Sequence, residues 1–288
     1  MAAPRSPPRP LRAVTPRSYL FVPADRPERF GKALRAGADA VIVDLEDAVA
    51  PAGKDGARAA LADWLAGPHA APVLVRVNAP PTAWFAEDLR ACAHPRVVGV
   101  VVPKAEAPEP VALVAAGAPH RAVLPLIESA AGFDAARAVA RVAGVRRLVF
   151  GSIDFQADLG IEGDDDALLA FRSQLVLVSR LAGLDAPVDG VTTALDDEAA
   201  AARDTARARR LGFGAKLCIH PRQVGAVNRG FAPAAHELDW ARRVLAAARA
   251  GAGGAVAVDG AMVDAPVLLR ARALLSRADP AEPADPAA

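Results

Sequence analysis

Eight short apolar segments rich in β-branched residues recur along the chain. They are Tyr19–Pro23, Ala40–Leu45, Val73–Val77, Val97–Pro103, Ala122–Ile127, Arg147–Phe150, Val188–Thr192 and Ala215–Ile219. Their starts are spaced by roughly 25–30 residues, the length of one strand with a crossover helix and two loops. Because the segments are apolar without alternating polar positions, they predict strands buried on both faces, as in a parallel sheet.

The stretches between these segments favour helices. Pro27–Phe30 resembles a helix start, and the Ala-rich stretches 57–66 and 199–211 are strong helix formers. Eight strand–helix units predict an α/β protein with a (β/α)₈ TIM barrel. An open doubly wound sheet is the alternative, but no GxGxxG follows the first strand and no GxxxxGK[ST] occurs in the chain.

The pattern also predicts how the chain is divided. Residues 1–16 hold five prolines and no acidic residue, and we expect a disordered tail there. The barrel is predicted for residues 17–232. Helical segments at 236–250 and 266–277 exceed what a barrel needs, so residues 233–277 are predicted to form a helical cap, or an arm toward a neighbouring subunit. Residues 278–288 are predicted to be a second tail.

Composition narrows the class of protein. Of the 288 residues, 53% are hydrophobic, and 34 basic against 33 acidic residues leave a formal charge of +1. Without a basic cluster or an apolar run of about 20 residues, we expect no nucleic-acid partner and no membrane association. Two cysteines are too few for a disulfide framework or a four-cysteine zinc site. We therefore expect a cytoplasmic globular protein.

Charged side chains gather at the carboxyl ends of the predicted strands, where barrel enzymes carry their active sites. Strand two ends in the acidic segment 44–47, and strand three carries Arg76. Strand five ends at Glu128, and strand six runs through Gly151 and Ser152 into Asp154. The predicted barrel therefore has a polar mouth.

Glu128 and Asp154 are candidate metal ligands. They follow strands five and six, which are neighbours about 4.8 Å apart, and two carboxylates this close need a compensating cation. Two oxygen ligands with room for water and substrate suit Mg²⁺, whereas zinc would need a cluster of Cys or His. The alternative is that both residues are helix N-caps, a role that suits Asp154 but not Glu128.

Arg76 interrupts an apolar segment, where an unpaired guanidinium would be costly. It either pairs with Asp44 or Glu46 of the neighbouring strand or binds an anionic ligand with its planar fork. Both can hold together, and a purely structural ion pair is the alternative.

Several motifs resemble the citrate lyase β-subunit-like proteins of the HpcH/HpaI aldolase/citrate lyase family. They are LFVPADRPERF (20–30), VIVDLEDAV (41–49), VRVN (75–78), VPKAE (102–106), LIESA (126–130), FGSIDFQADLG (150–160) and KLCIHPRQV (216–224). The resemblance covers residues 17–277 in order, and it implies a metal-dependent barrel.

The resemblance implies roles for the residues at the barrel mouth. Glu128 and Asp154 match Mg²⁺ ligands, with Glu128 also facing the substrate, and Arg76 matches the arginine that binds the carboxylate of an oxaloacetate-like acid. Glu46 and Asp47 stand where pyruvate aldolases of the superfamily carry a Glu-His pair. This departure favours the acyl-thioester branch, in which Glu46 and Asp47 would orient Arg76 or metal-bound water.

The segment Gly260–Pro266 resembles the G-x-M-[VI]-D motif of malyl-CoA and citramalyl-CoA lyases and their malate-synthase-like relatives. There the aspartate is a catalytic base that reaches the site of an adjacent subunit. Asp264 therefore matches a catalytic position, and the resemblance implies a homotrimer.

The implied reaction is a reversible Claisen-type cleavage of a 3-hydroxyacyl thioester such as citryl-, malyl- or citramalyl-CoA, giving a 2-oxo acid and an acetyl thioester. The acid can be oxaloacetate, glyoxylate or pyruvate, and the carrier CoA or acyl carrier protein. Hydrolase activity, malate-synthase-like activity and a non-catalytic oxo-acid-binding protein are the alternatives. Four basic residues are candidate phosphate contacts, with solvated helix charge the favoured interpretation for each: Arg26, Lys32, Lys54 and Arg58.

Overall fold

A closed barrel of eight parallel strands confirms the predicted fold in the computed structural model, which describes residues 15–250 and 256–278. Each strand pairs with the next along the chain, and the last pairs with the first. The strands are β1 (Ser18–Pro23), β2 (Ala40–Asp44), β3 (Val73–Arg76), β4 (Val97–Val102), β5 (Ala122–Ile127), β6 (Val149–Phe150), β7 (Val188–Asp189) and β8 (Ala215–Cys218).

Helices connect these strands, as crossover connections between parallel strands require. They are α1 (Phe30–Leu34), α2 (Lys54–Ala66), α3 (Phe85–Ala91), α4 (Pro108–Gly117), α5 (Ala130–Val139), α6 (Ser152–Leu159), α7 (Leu169–Leu181) and α8 (Glu198–Leu211), with α9 (Pro221–Phe231) after the last strand. Short 3₁₀ turns precede α1, α2 and α7.

Alternation along the strands separates two apolar layers. One face of each strand fills the barrel interior, with Tyr19, Ile42, Leu74, Leu126 and Leu217 among its members. The other face packs against the helices in a larger core. Both faces are apolar, which explains why the strand segments carry no polar alternation.

The same alternation selects the residues of the barrel mouth. Side chains two positions apart lie on the same face of a strand. Asp44 follows Ile42, Arg76 follows Leu74 and Glu128 follows Leu126, each by two positions. These three charged residues are therefore the next interior layer toward the carboxyl ends of the strands.

Strands β6 and β7 are shorter than predicted, with two residues each. At the end of β6 the chain turns directly into α6, with Gly151 as its N-cap. After β7, Gly190 lies so close to the Ser152 side chain that a Cβ could not fit there. These two segments are therefore tightly packed just beyond the ends of the strands.

Residues 232–250 and 256–278 belong to a second compact unit, whereas residues 16–231 form the barrel unit. The second unit contains α10 (Ala235–Ala250), a hairpin of β9 (Val256–Val258) and β10 (Ala261–Val263), and α11 (Ala265–Leu275). Both helices were predicted, but the hairpin was not. The small core of this second unit is formed by residues of its two helices: Ala241, Val244, Ala271 and Leu274.

The predicted tails lie almost entirely outside the described residues, since 1–14 and 279–288 are not described. Within the described ranges, no helix is both long enough and apolar enough to cross a membrane.

Candidate active site

A cavity of about 410 Å³ opens at the carboxyl ends of the barrel strands. Its floor includes the apolar side chains Phe21, Leu126 and Leu217. Its polar lining comes from four different loops and strand ends: Asp44, Asp47, Arg76, Glu128, Ser152 and Asp154. The polar residues predicted at the barrel mouth therefore meet in one cavity.

Arg76 is held by carboxylates and by an aromatic ring. Its Nε and Nη2 donate to Asp44 Oδ1 and Oδ2 at 2.7 and 2.6 Å, a bidentate pair. Its Nη1 lies 3.1 Å from Glu46 Oε2 and 3.3 Å from Asp47 Oδ2. The guanidinium also lies 4.9 Å from the Phe21 ring centroid. Burial alone would lower the pKa of Arg76, but the hydrogen-bonded Asp44 and the nearby acids raise it, so the guanidinium is permanently charged.

The predicted pairing of Arg76 with Asp44 and Glu46 is therefore present, and the guanidinium also lines the cavity. Asp44 additionally accepts the main-chain N–H groups of Glu46 and Ala48, at 2.9 and 3.3 Å. The acidic segment consequently folds around one arginine.

Glu46 and Asp47 differ in their surroundings. Glu46 is buried, and its Oε1 accepts from Lys104 Nζ at 3.3 Å. Burial raises the pKa of Glu46 to about 7, although Arg76 opposes this shift. Asp47 has an exposed side chain and lines the cavity. Both touch Arg76, as an orienting role requires.

Glu128 is a buried residue of the cavity lining, and only one of its two carboxylate oxygens has a hydrogen-bond partner among the described residues. Its Oε1 accepts the main-chain N–H of Lys104 at 2.7 Å, whereas its buried Oε2 has no hydrogen-bond partner among the described residues. Burial raises the pKa of Glu128 to about 8, and the negative charges of Glu46 and Asp154 add to the shift. An unpaired oxygen of this kind needs a proton or a cation.

Gly151 explains how Glu128 and Asp154 come together. A Cβ on Gly151 would lie 2.5 Å from the Glu128 Cβ and 2.9 Å from Oε2, so only glycine permits this approach. Directly after it, α6 begins, and Asp154 is in its first turn. The capping alternative for both acids is wrong, because Gly151 is the N-cap of α6 and Ser129 caps α5.

The donor set fits a hard, oxygen-seeking cation. Four carboxylates line the cavity together with a single basic side chain, Arg76, within the part of the chain that the structure describes. Two of the acids, Glu128 and Asp154, remain outside the cluster around Arg76. Among the described residues, no cluster of three or more His, Cys, Asp or Glu side chains could hold a metal. The pair Glu128 and Asp154 nevertheless suits Mg²⁺, because this ion is usually bound by only one or two carboxylates together with water and substrate oxygens.

Asp264 belongs to the second compact unit. It is the N-cap of α11, where its Oδ1 accepts the main-chain N–H of Val267 at 3.1 Å. Its side chain is exposed. Capping is thus one role of this residue, and exposure leaves it accessible to a ligand.

Two residues at the mouth were not predicted as site residues. Lys104 has a left-handed backbone with φ of 48°, uncommon for a residue with a side chain. That conformation accompanies its bonds to Glu128 through the main chain and to Glu46 through Nζ. Ser152 also lines the cavity. Only the position of Lys104 at a strand end could have signalled its role.

The expectation of solvated helix charge is wrong for Lys54 and Arg58. Lys54 is 5% exposed, and its Nζ donates to the carbonyl oxygens of Leu45 and Glu46. Arg58 pairs with the buried Asp88 at 2.9 Å. A signal was available, since the buried positions of α2 are Lys54, Ala57, Leu61 and Leu65, one helical stripe.

Neither of the two cysteines nor His220 lines the cavity. Cys92 and Cys218 are both buried, and burial raises the pKa of each thiol to about 12. His220 accepts the main-chain N–H of Arg222 through Nδ1 at the start of α9. The chemistry of the mouth therefore depends on carboxylates and arginine.

Known proteins resemble the chain over nearly its full length. A citrate lyase subunit beta-like protein of Mycobacterium tuberculosis is 40% identical over 275 residues, covering 93% of this chain and 97% of the relative. A (3S)-malyl-CoA thioesterase of Cereibacter sphaeroides is 34% identical over 271 residues, covering 91% and 94%.

A solved structure is equally similar. CitE from M. tuberculosis, in complex with magnesium, acetoacetate and coenzyme A, superposes with a TM-score of 0.80 at 40% identity and covers 93% of this chain and 99% of that one. The family model for HpcH/HpaI aldolase/citrate lyase matches residues 17–221, which include the barrel mouth. The chain therefore belongs to the HpcH/HpaI aldolase/citrate lyase family.

Proposed function

We propose that the protein is a Mg²⁺-dependent carbon–carbon lyase that cleaves a 3-hydroxyacyl thioester into a 2-oxo acid and an acetyl thioester. One observation carries the proposal: a permanently charged arginine faces the same cavity as a buried glutamate with an unpaired oxygen. The first group suits a carboxylate and the second suits a cation. A 2-oxo acid chelated to a metal needs both.

Glu128 and Asp154 would hold the Mg²⁺. Their support is the unpaired Oε2 of Glu128, the proximity that Gly151 permits, and the magnesium in the solved relative. When bound, Mg²⁺ would act as a Lewis acid that stabilises negative charge on the substrate oxygens.

Arg76 would bind the carboxylate of the 2-oxo acid. Because Asp44 grips Nε and Nη2, the guanidinium plane is fixed before the ligand arrives. The first turn of α6 also lines the cavity, and its main-chain N–H groups favour an anion. Glu46 and Asp47 would keep the arginine in this orientation.

Cleavage requires two proton movements. The β-hydroxyl of the thioester passes its proton to solvent, the carbon–carbon bond breaks as the alkoxide becomes the carbonyl of the 2-oxo acid, and the electron pair of that bond forms the thioester enolate. The enolate then takes a proton at carbon. We assign that proton, and its removal in the reverse direction, to Asp264 of an adjacent subunit, since its side chain is exposed and a carboxylate in a dry cleft can act as a general base.

This assignment of Asp264 needs an oligomer, and we propose a homotrimer with CoA as the thioester carrier. The coenzyme A in the solved relative supports the carrier. Light scattering on the purified protein would check the trimer, and a monomer would exclude a base donated by a neighbour.

The lyase reaction is tested with a panel of malyl-CoA, citramalyl-CoA and citryl-CoA in Mg²⁺. We expect one of them to be cleaved to a 2-oxo acid and acetyl-CoA, and Glu128→Ala to abolish cleavage. If none of the three turns over, the lyase proposal is wrong.

The base is tested by Asp264→Asn. We expect the variant to bind the 2-oxo acid as the wild type does, but to lose exchange of the acetyl-CoA methyl protons in deuterated water. Unchanged exchange would remove Asp264 from the reaction.

Thioester hydrolysis is a second candidate, because the relative from C. sphaeroides is a malyl-CoA thioesterase. The two reactions give different products from malyl-CoA. A lyase releases glyoxylate with acetyl-CoA, whereas a hydrolase releases malate with free CoA, so product analysis separates them.

A further inference from the structure

Lys54 is a buried lysine just outside the cavity. It is the first residue of α2, with 5% of its surface exposed. Its Nζ donates to two main-chain oxygens, Leu45 O at 2.8 Å and Glu46 O at 2.7 Å. The same ammonium nitrogen lies over the Trp84 ring, 5.4 Å from its centroid. The ammonium group therefore binds the main chain of one short loop.

That loop is the acidic segment 44–47, whose side chains surround Arg76. Its carboxylates hold the guanidinium at distances from 2.6 to 3.3 Å. Its carbonyl oxygens at Leu45 and Glu46 are bound by Lys54 instead. One loop is therefore anchored through its main chain, and its side chains orient the arginine of the cavity.

A second donor supports the same anchor. Asn78 Nδ2 donates to Leu45 O at 3.0 Å, and its main-chain N and Nδ2 both donate to Asp88 Oδ2, at 2.8 and 2.6 Å. Arg58 Nε donates to the other oxygen of Asp88 at 2.9 Å. We call Lys54, Arg58, Asn78 and Asp88 the backing network. None of these four residues lines the cavity.

Stability alone does not explain a lysine at this position. Lys54 shares the buried stripe of α2 with Ala57, Leu61 and Leu65. An ammonium there loses its hydration, a cost that an apolar side chain would avoid. Hydrogen bonds from a charged donor are shorter and stronger than neutral ones. Two such bonds to adjacent carbonyls hold both peptide planes of the loop.

We propose that Lys54 is a positioning residue for the carboxylate-binding site, which it controls by fixing the main chain of Leu45 and Glu46 and thereby the acids that orient Arg76. Its effect on ligand binding rests on the proposed function. Its effect on the order of the loop does not.

The test compares Lys54→Met with Leu61→Ala. Lys54→Met keeps the length of the side chain but removes the charge and the donors. Leu61→Ala disturbs the same buried stripe of α2 two turns further on, but removes no hydrogen bond to the loop. Thermal unfolding measures the stability of both variants. If the role of Lys54 is purely structural, the two variants should show the same effects once their stabilities are taken into account.

The first measurement is amide hydrogen exchange over residues 44–50. In the wild type, the N–H groups of Leu45, Glu46 and Val49 donate to Arg76 O, Asp44 Oδ1 and Glu46 O. We expect these amides to exchange about tenfold or more faster in Lys54→Met, and at the wild-type rate in Leu61→Ala after correction for stability. Unchanged exchange in Lys54→Met would overturn the proposal.

The second measurement is calorimetric binding of pyruvate in saturating Mg²⁺. We expect Lys54→Met to bind pyruvate about ten- to a hundredfold more weakly, the usual cost of removing a supporting residue, with Leu61→Ala close to the wild type. Affinity for Mg²⁺ alone should change by no more than about twofold in both variants, since the backing network touches neither Glu128 nor Asp154. Equal losses of pyruvate affinity in the two variants would contradict the proposal.

The outcomes distinguish this inference from the proposed function. If the wild type binds no oxo acid, the proposed function fails, and hydrogen exchange alone decides the role of Lys54. If Lys54→Met does not fold, Lys54→Gln takes its place. Failure of both to fold while Leu61→Ala folds would assign Lys54 to stability and overturn the positioning role.

Discussion

Two buried clusters of charged residues occupy different sides of the barrel wall. At the mouth, Arg76 faces the cavity among Asp44, Glu46 and Asp47. Behind β7, Arg172 bonds Asp189 at 2.8 Å, out of contact with the cavity. Both guanidinium groups are buried, and both lie against an aromatic ring.

Each acid of the rear cluster has a basic partner within ion-pair distance. Asp164 lies 2.6 Å from both Arg172 and Arg207, and Lys216 lies 3.7 Å from Asp189. Burial would raise the pKa of Asp164, but the two arginines outweigh it and lower the pKa. Asp164 is therefore stable as an ion in the folded protein.

The mouth cluster has more acidic than basic side chains. Burial raises the pKa of Glu46 to about 7 and that of Glu128 to about 8, because the nearby bases do not compensate the desolvated carboxylates. A buried acid that is paired with bases can stay ionised inside the fold, whereas an excess of buried acid suits a cation site.

The largest expected effect comes from Glu128→Gln. The amide keeps the shape of the side chain but removes a ligand charge, so we expect lyase activity and Mg²⁺ affinity to fall by about 100-fold or more. Stability without metal should be equal to the wild type or higher, because no charge is buried. Calorimetric Mg²⁺ titration and thermal unfolding measure the two effects. Wild-type Mg²⁺ affinity would remove Glu128 from the metal site.

Arg172→Met should lower the stability of the protein and leave its Mg²⁺ affinity unchanged. It leaves Asp189 buried without its main partner, so we expect unfolding free energy to fall by about 3–5 kcal/mol. Urea unfolding measures this loss. The folded variant should bind Mg²⁺ as the wild type does. A loss below about 1 kcal/mol would show that the rear cluster does not stabilise the fold.

Stability as a function of pH separates the clusters in metal-free protein. The unfolded chain releases the Glu128 proton near pH 4.5, whereas the folded protein keeps it to about pH 8. This contribution is complete below pH 4.5 and is lost as the pH rises to 8, by roughly 5 kcal/mol. The lowered pKa of Asp164 acts in the other direction, since its contribution is lost only as the pH falls below its usual value of 3.8.

Urea unfolding in EDTA from pH 3 to pH 9 measures both slopes. Glu128→Gln should flatten the decline toward pH 8 and leave the acid side unchanged. A wild-type profile that rises between pH 5 and 8 would contradict the raised pKa.

The smallest expected effect is that of Arg76→Lys. The ammonium keeps the charge but cannot form the bidentate pair with Asp44, so we expect about tenfold weaker pyruvate binding. Calorimetry in saturating Mg²⁺ measures it. Full affinity would mean that charge alone, without the planar fork, suffices for the carboxylate.

The barrel could be predicted from the chain because its signal is local. Each strand is a continuous apolar run. Because side chains two positions apart lie on the same face of a strand, Asp44, Arg76 and Glu128 lie on the interior face. The short lengths of β6 and β7 were not predicted, and neither was the packing of Gly190 against Ser152, 38 positions away in the sequence.

The site could be predicted only in part. Charged residues at strand ends indicated Arg76, Glu128 and Asp154, and the structure brings them to one cavity. The burial of Lys54 was missed, because a lysine at a helix start is usually solvated and its partners are main-chain oxygens that carry no sequence signal. The role of Asp264 as a base stays a prediction.

By itself, the sequence determined the number of strands, their order and the kinds of charge at the barrel mouth, because these follow from periodicity and residue type. Only the tertiary structure decided which charges are paired and which are left over. Desolvation and hydrogen bonding depend on neighbours from distant strands and helices, so the unpaired oxygen of Glu128 and the buried ammonium of Lys54 exist only in the folded chain.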